Sequence, residues 1–351
     1  MSGSPPASRD NNFDVLRLLA AISVIFSHAF LIAQGTQDHE PLIWLTGRQA
    51  ILGLAGVFVF FAISGFLVTQ SWEQTGSTPR YLLKRCLRIF PGLVAALILS
   101  AFVLAPLVTK LPLAEYFSRP EPYRYVVGNA ALSVKVHELP GVLFVDNPVG
   151  LEINGSLWTL RYEFMMYLMV MALGLTRLLN LWTCIALLVL GMACVQFPTT
   201  FDGLGGWGWM LSFFAVGMVL YKLRGTRIFD YRVALAALAL LVVSVFAGGF
   251  IVLFSLTGCY LALWLALNPR LPPLRAARWG DLSYGLYIYG WPSSQFVIWL
   301  NGGHATWWLV FGGGLAIAGT LAFLSWHLIE GPALRLKPRP RSTPALAIGT
   351  D

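Results

Sequence analysis

The chain has 351 residues, of which 57% are hydrophobic and 11% are charged, whereas a soluble domain is typically ~25% charged. Its mean hydropathy of +0.70 excludes an ordinary soluble enzyme and predicts a polytopic membrane protein. The net charge of +8 does not require a nucleic-acid partner. We assign 17 of the 24 Lys and Arg to one side of the membrane and five to the other, so the positive-inside rule predicts two cytoplasmic termini.

Ten apolar segments are candidate membrane spans, which need ~20 residues each. They lie at about 13–34, 50–70, 89–109, 156–176, 180–197, 207–221, 232–248, 250–267, 283–300 and 306–329. The expected fold class is therefore all-α, a polytopic transmembrane bundle. Residues 1–12 are expected to form a disordered cytoplasmic tail, 13–332 the membrane domain and 333–351 a second cytoplasmic tail. The polar N-terminus shows no signal-peptide cleavage site.

Two ionisable residues share one face of the first span. Arg17 and His28 are eleven residues apart, which is three helical turns plus about 20°. His28 is then about 16 Å deeper in the membrane than Arg17, and an ionisable residue at such depth marks a functional site. Asp14 either pairs with Arg17 on the helix surface or complements the helix dipole.

Glu163 is a second ionisable group inside the membrane. Counted from the outer face, it reaches a depth similar to that of His28, about 20 Å from the inner face of a ~30 Å core. A carboxylate beside an imidazole would orient the ring and raise its basicity. Alternatively, His28 bonds a backbone carbonyl while Glu163 pairs with Arg161 or a tyrosine. Both possibilities remain open.

A basic cluster opens the third span after a basic cytoplasmic loop. Lys84 and Arg88 share one helix face, and Arg85 neighbours Arg88. Guanidinium groups bind phosphates bidentately, although anchoring on anionic lipid is the commoner role of such clusters.

Other features allow a structural reading and a functional one. Ser64-Gly65, in the middle of span two, suits close helix packing better than a serine nucleophile, because GxSxG is absent. Tyr284, Tyr287 and Trp291 form an aromatic stripe on span nine, which Pro292 should kink. Glu330 is expected to pair with a basic loop.

The outer segment 110–155 is the one long loop and a candidate binding region. The four cysteines show neither a disulfide framework nor metal-ligand spacing, so no metal is expected.

Taken together, these segments resemble the membrane acyltransferase family 3, whose members acylate sugars and other hydroxyl compounds. The similarity runs from the first span to the last through FDVLRLLAAISVIFSH, FFAISGFLV, KRCLRIFPG, NGSLWTLRYEFMMY, LSYGLYIYGWP and HLIEGPA. The family motifs match Arg17 with His28, Arg85 with Arg88, and Glu163. Two positions depart from the family pattern. Gly290 replaces a frequent histidine, and Gly331 separates Glu330 from Pro332.

The resemblance implies a transmembrane O-acyltransferase of the bacterial inner membrane. Acyl-CoA, with acetyl-CoA the expected donor, would bind from the cytoplasm. His28 would act as catalytic base with Glu163 and Arg17. The expected donor contacts are Arg85, Arg88, Lys84, Ser64 and Tyr284. The expected acceptor contacts are Asp14, Trp158, Tyr167 and Tyr287. The acceptor would be a lipopolysaccharide or exopolysaccharide sugar, a lipid-linked precursor, or a small glycoside or macrolide.

Two other functions and one other mechanism stay open at this level. A proton-coupled transporter also uses intramembrane His and Glu, although we find no inverted repeat. A noncatalytic polysaccharide-export partner is the third class. Within the enzyme reading, His28 acts either as a base or as an acylated nucleophile. The sequence does not fix the oligomeric state.

Overall fold

The computed structural model describes residues 11–133, 139–141, 144, 147–150, 152–196, 205–268, 271–272, 274 and 276–337. Over these ranges the chain forms helices, turns and loops, with no strand, which confirms the all-α class. Most of the two predicted tails, residues 1–10 and 338–351, lies outside this part of the chain. Their disorder therefore stays a prediction.

Each predicted span corresponds to a long helix in the described ranges. The helices are α1 (Phe13–Gln34), α2 (Leu52–Thr75), α3 (Thr78–Val108), α4 (Trp158–Leu175), α5 (Leu181–Gln196), α6 (Gly205–Lys222), α7 (Tyr231–Ala247), α8 (Phe250–Leu267), α9 (Ser283–Leu300) and α10 (Trp307–Arg335). Five of them, α1, α2, α3, α8 and α10, are long and apolar enough to cross a membrane. The protein is thus a multi-pass membrane protein. The full count of ten spans and the cytoplasmic termini remain predictions.

The connection between α2 and α3 is shorter than the sequence suggested. Gly76 ends α2 in the left-handed region with φ of 60°, which glycine adopts without strain. Pro79 lies in the first turn of α3, a position that favours proline. The predicted basic loop is therefore mostly helix, and Lys84, Arg85 and Arg88 project from the first turns of α3.

Helix α1 is the centre of the bundle and packs against α2, α9 and α10. Helix α2 in turn packs against α6 through small residues. A Cβ on Gly65 would lie 2.0 Å from the Phe214 carbonyl oxygen, and one on Gly217 would lie 2.0 Å from the Ala62 carbonyl oxygen. This is the close approach that small residues permit in membranes, so Gly65 serves helix packing.

The outer loop after α3 is fastened to α9 by side-chain amides. Two short helices, Leu113–Ser118 and Glu121–Ala130, begin it. Pro292 lies inside α9 and has no N–H for the carbonyl of Ile288. Asn154 fills that gap, because its Nδ2 donates to the Ile288 oxygen at 2.8 Å. Asn147 similarly donates to Gln295 at 2.8 Å. The expected break at Pro292 is thus repaired from the loop.

We predict that Gly65→Ala destabilises the protein. The added methyl group would meet backbone rather than a movable side chain, and overpacking of this kind costs about 1–3 kcal/mol. Thermal unfolding in detergent should show a lower Tm. Gly319→Ala is the matched control, since a Cβ there meets nothing within 4 Å. Equal Tm values for the two variants would contradict the packing role of Gly65.

Candidate active site

His28 lines a cavity of about 370 Å³ at the end of α1 that is predicted to face outside. The cavity lies between α1, α2, the outer loop and α9. Its walls combine aromatic and polar side chains, among them Tyr125, Trp158, Tyr287 and Trp291. This size falls in the lower part of the ~300–1,000 Å³ range of small-molecule sites. Trp158 and Tyr287, expected to contact an acceptor, are both in its wall.

The imidazole of His28 is held by aromatic packing. Its ring meets the Trp291 ring edge to face with centroids 4.8 Å apart. The indole N–H of Trp291 donates to the Glu152 carbonyl oxygen at 3.0 Å, which fixes the indole. Among the described residues, none hydrogen-bonds the His28 ring. The ring nitrogens are therefore available to a molecule in the cavity.

A second, smaller cavity of about 40 Å³ lies deeper, toward the side predicted to be cytoplasmic. Its lining includes Arg17, Ser64, Arg88, Glu163 and Tyr284. We call it the inner cavity and the His28 cavity the outer cavity. Five of the predicted catalytic and donor-binding residues therefore lie around one space.

The structure does not join His28 to Glu163, which line different cavities. Glu163 instead accepts hydrogen bonds from the hydroxyls of Ser64, at 3.3 Å, and Tyr167. The tyrosine alternative for Glu163 is thus the one observed, while Arg161 is exposed. The expectation that Glu163 orients the His28 ring is not met. Similar depth in two helices does not fix which residues face each other.

Arg17 and Arg88 share one carboxylate, Asp281, just before α9. The Asp281 Oδ2 lies 3.1 Å from Arg17 Nη1 and 2.9 Å from Arg88 Nη2. Ser283 also donates to Asp281 Oδ1 at 2.5 Å. Burial acts to raise the pKa of Asp281, but the two guanidinium groups and Ser283 outweigh it and hold the pKa well below its ordinary value. Arg17 therefore pairs with Asp281, and Asp14 lies in the first turn of α1 without lining either cavity.

The guanidinium group of Arg85 packs against tyrosine rings. It lies over the rings of Tyr167, at 5.4 Å, and Tyr81, at 5.8 Å. One terminal nitrogen donates to Ser71 at 3.1 Å, while the buried Nε has no acceptor among the described residues. Lys84 bonds Thr75 at 3.0 Å. An unsatisfied buried guanidinium N–H fits an anion-binding role better than lipid anchoring.

The aromatic stripe of α9 makes polar contacts as well as packing. Tyr284 donates to the Ile89 carbonyl on α3 at 2.7 Å, and Tyr287 donates to the Ser156 carbonyl at 2.9 Å. The structural reading of the stripe as packing alone is therefore incomplete.

Glu330 is buried inside the protein, at 3% exposure. It accepts from Ser325 at 2.7 Å and packs near Gly92 and Tyr284. Its expected basic partner is represented by Arg88, with which it interacts electrostatically, although Arg88 lies on helix α3 and not in a loop. Because Gly92 has no side chain, the carboxylate fits between α3 and α10.

Gly290 explains one departure from the family pattern. A Cβ at this position would lie 2.7 Å from Ile25 Cγ1 on α1. A histidine therefore has no room where α9 crosses α1.

Val57 and Tyr287 line both cavities and so form their common wall. Tyr287 is held there by Thr159, at 2.5 Å, as well as by Ser156. A cavity lined by Arg17 and Arg88 and a cavity with an available imidazole are thus adjacent and share two wall residues.

The comparisons with known proteins agree with this geometry. A family model described as an acyltransferase domain matches residues 10–327. The chain belongs to the acyltransferase 3 family. This membership confirms the resemblance drawn from the motifs and favours an enzyme over a transporter or an export partner. No solved structure matches the chain.

Two relatives extend over nearly the whole chain. An O-acetyl transferase of Shigella phage Sf6 is 29% identical over 361 aligned residues, covering 97% of this chain and 99% of the relative. Nodulation protein 10 of Rhizobium leguminosarum bv. viciae is 29% identical over 371, covering 93% and 94%.

Sequence reasoning missed three residues of the site, Asp281, Asn154 and Trp291 as the neighbour of His28. A signal existed for Asp281, because it is an acidic residue directly before an aromatic span on the arginine-rich side. For Asn154 the signal was weaker, a polar residue opening the NGSLW segment. The Trp291 contact depends on how α9 is rotated against α1, which no local pattern reports.

Asp281→Asn should destabilise the protein strongly, because it leaves Arg17 and Arg88 without a counter-charge in a mostly buried site. Breaking such a pair costs about 3–5 kcal/mol, measurable as a loss of Tm. The pKa of Asp281 is lower in the folded state than in the unfolded state. Its contribution to the free energy of unfolding is therefore fully present above the unfolded-state pKa of about 3.9. That contribution is lost only as the pH falls through the folded-state pKa. Asp38→Asn, which breaks the exposed Asp38–Arg48 pair, is the control and should change Tm little. Similar losses of Tm in the two variants would contradict the larger contribution to stability that we assign to Asp281.

Proposed function

We propose that the protein is an O-acetyltransferase of the bacterial inner membrane. It would move an acetyl group from cytoplasmic acetyl-CoA to a hydroxyl of a carbohydrate on the outer side. The observation that carries this proposal is the pair of adjacent cavities, one lined by arginines and one by His28, with Tyr287 and Val57 between them. Family membership and a relative named an O-acetyl transferase support the chemistry.

Arg85, Arg88 and Lys84 would hold the phosphates of the donor at the cytoplasmic end of α3. The unsatisfied Nε of Arg85 is the feature that best fits such an anion. Arg88 lies at the rim of the inner cavity and is kept in place by Asp281 and by the Tyr284 ring, 5.5 Å away. The donor brings a thioester, an activated acyl group on a long, thin arm.

The inner cavity would admit that arm after widening, since about 40 Å³ holds little more than a water molecule. Ser64 and Glu163 provide polar atoms along its wall, and amide N–H groups of an extended arm suit a carboxylate acceptor. Arg17 adds to this polar lining, and Tyr167 donates a hydrogen bond to Glu163 from outside the cavity. Glu163 would thus bind and position the donor rather than orient His28.

His28 would act as general base in the outer cavity. Its imidazole takes the proton of the acceptor hydroxyl while the oxygen attacks the thioester carbonyl carbon. The new C–O ester bond forms, the C–S bond breaks, and the thiolate receives the proton as a thiol. A positioned base contributes roughly 10²–10⁴-fold. Trp291 keeps the ring facing the cavity, and Trp158 and Tyr287 would line the acceptor.

His28→Ala should lower acetyl transfer about 10²–10⁴-fold without weakening acetyl-CoA binding. Purified protein in detergent would be tested by mass spectrometry of a glycan panel and by thermal shift with acetyl-CoA. His39→Ala is the matched control, because His39 is exposed and bonds Gln34 outside the cavity. Near-normal transfer by His28→Ala would refute the assignment. Wild-type turnover of acetyl-CoA without acceptor would instead favour an acyl-histidine.

Arg85→Gln should raise the KM for acetyl-CoA about tenfold, because a charge-assisted phosphate contact is lost. The KM for the acceptor should not change, since neither Arg85 nor any other residue of α3 lines the outer cavity. Arg227→Gln removes the same charge from an exposed position predicted to lie on the cytoplasmic side, and should leave both values unchanged. Equal rises in donor and acceptor KM for Arg85→Gln would indicate a folding role instead.

A further inference from the structure

The outer cavity contains a carboxylate, Glu152, that the chemistry above does not use. Glu152 lines the cavity together with His28, Asn154, Trp158 and Trp291. Lysine and arginine are absent from the lining that the structure describes, so this negative charge has no cationic partner in the cavity. The Glu152 carboxylate can therefore contact a molecule that binds in the outer cavity beside His28.

Hydrogen bonds from α9 to the backbone of Glu152 fix the position of this residue. Its carbonyl oxygen accepts from Trp291 Nε1 at 3.0 Å and from Gln295 Nε2 at 3.4 Å. Two helical turns of α9 therefore hold the residue from one side. The carboxylate itself accepts no hydrogen bond from any described residue, although its backbone is well anchored.

The Glu152 carboxylate and the Trp291 ring that contacts His28 both lie close to Gly155. A Cβ on Gly155 would lie 2.5 Å from Glu152 Oε2 and 2.8 Å from Trp291 Cη2. The Trp291 ring also contacts the His28 imidazole, at 4.8 Å between centroids. The bare backbone at Gly155 thus lets Glu152 approach the same indole that positions the base.

We propose that Glu152 anchors the acceptor and restricts it to sugars without an acidic group. This inference rests on the proposed function and deepens it. A carboxylate accepts hydrogen bonds from two hydroxyls at once, which suits adjacent hydroxyls of one sugar ring. It also repels a second carboxylate in a cavity with low dielectric constant. The indoles of Trp291 and Trp158 offer apolar surface to the C–H face of the ring.

Sugar binding to the full-length protein in nanodiscs tests the proposal. Saturation-transfer NMR would compare the methyl glycosides of glucose, galactose, mannose and rhamnose with methyl glucuronide and methyl galacturonide. We expect the wild type to bind at least one neutral glycoside about tenfold or more tightly than either uronide. Glu152→Gln should weaken that neutral glycoside about tenfold and bring the ratio to the uronides close to one.

One further variant separates the charge of Glu152 from the length of its side chain, and a second variant is a control. Glu152→Asp keeps the charge on a shorter side chain, so uronides should still be rejected while the neutral glycoside binds more weakly. Asp38→Asn removes the same charge from an exposed outer position and should change nothing. Equal binding of uronides by the wild type, an unchanged ratio in Glu152→Gln, or no binding of any glycoside would overturn the proposal.

The proposed function is tested by a different measurement, the thermal shift with acetyl-CoA. Acetyl-CoA should stabilise the wild type and Glu152→Gln alike in a thermal shift, which also shows that the variant folds. Loss of stabilisation in both, with sugar selectivity still dependent on Glu152, would reject the acetyltransferase and keep the sugar site. Stabilisation in both without that selectivity would reject the role of Glu152 alone.

Discussion

The pairing of Asp281 with Arg17 and Arg88 is the interaction on which the site depends. It joins the start of α1, the N-terminal part of α3 and the segment before α9. Charges taken out of water must be compensated or the helices that carry them separate. With this compensation, two arginines can line the inner cavity. One carboxylate therefore supports both the packing of three helices and a pair of buried arginines in the cavity wall.

The second organising feature is the repair of α9 at Pro292. Proline leaves the Ile288 carbonyl without its helical partner, and inside a membrane protein that carbonyl must be satisfied. Asn154 satisfies it from the outer loop, and Gln295 and Trp291 add bonds to the same loop. The loop is thereby held against α9, where Glu152 and Trp291 line the outer cavity together with His28. The hydrogen bonds that compensate for Pro292 therefore also build part of the wall of this cavity.

The two cavities divide the chemistry by charge. Arginines, Glu163 and Ser64 surround the inner cavity, whereas the outer one carries an imidazole, one carboxylate and several aromatic rings. In the proposed reaction this division would suit a phosphorylated donor on one side and a hydroxyl-rich acceptor on the other. Tyr287 and Val57 line both cavities and separate them.

The sequence by itself determined the membrane class, the helical segments and the family, because composition, hydropathy and motif order are local properties of the chain. It also singled out His28 and Glu163, since charges at membrane depth are costly, and it singled out Arg17 by its spacing from His28 and Arg88 by its place in a basic cluster. Only the tertiary structure decided their partners. Glu163 bonds Ser64 and Tyr167 rather than His28, and Arg17 bonds Asp281, more than 260 residues away. Depth along a helix can be counted from sequence, but which helices touch and how they are rotated follows from side-chain packing across the whole bundle.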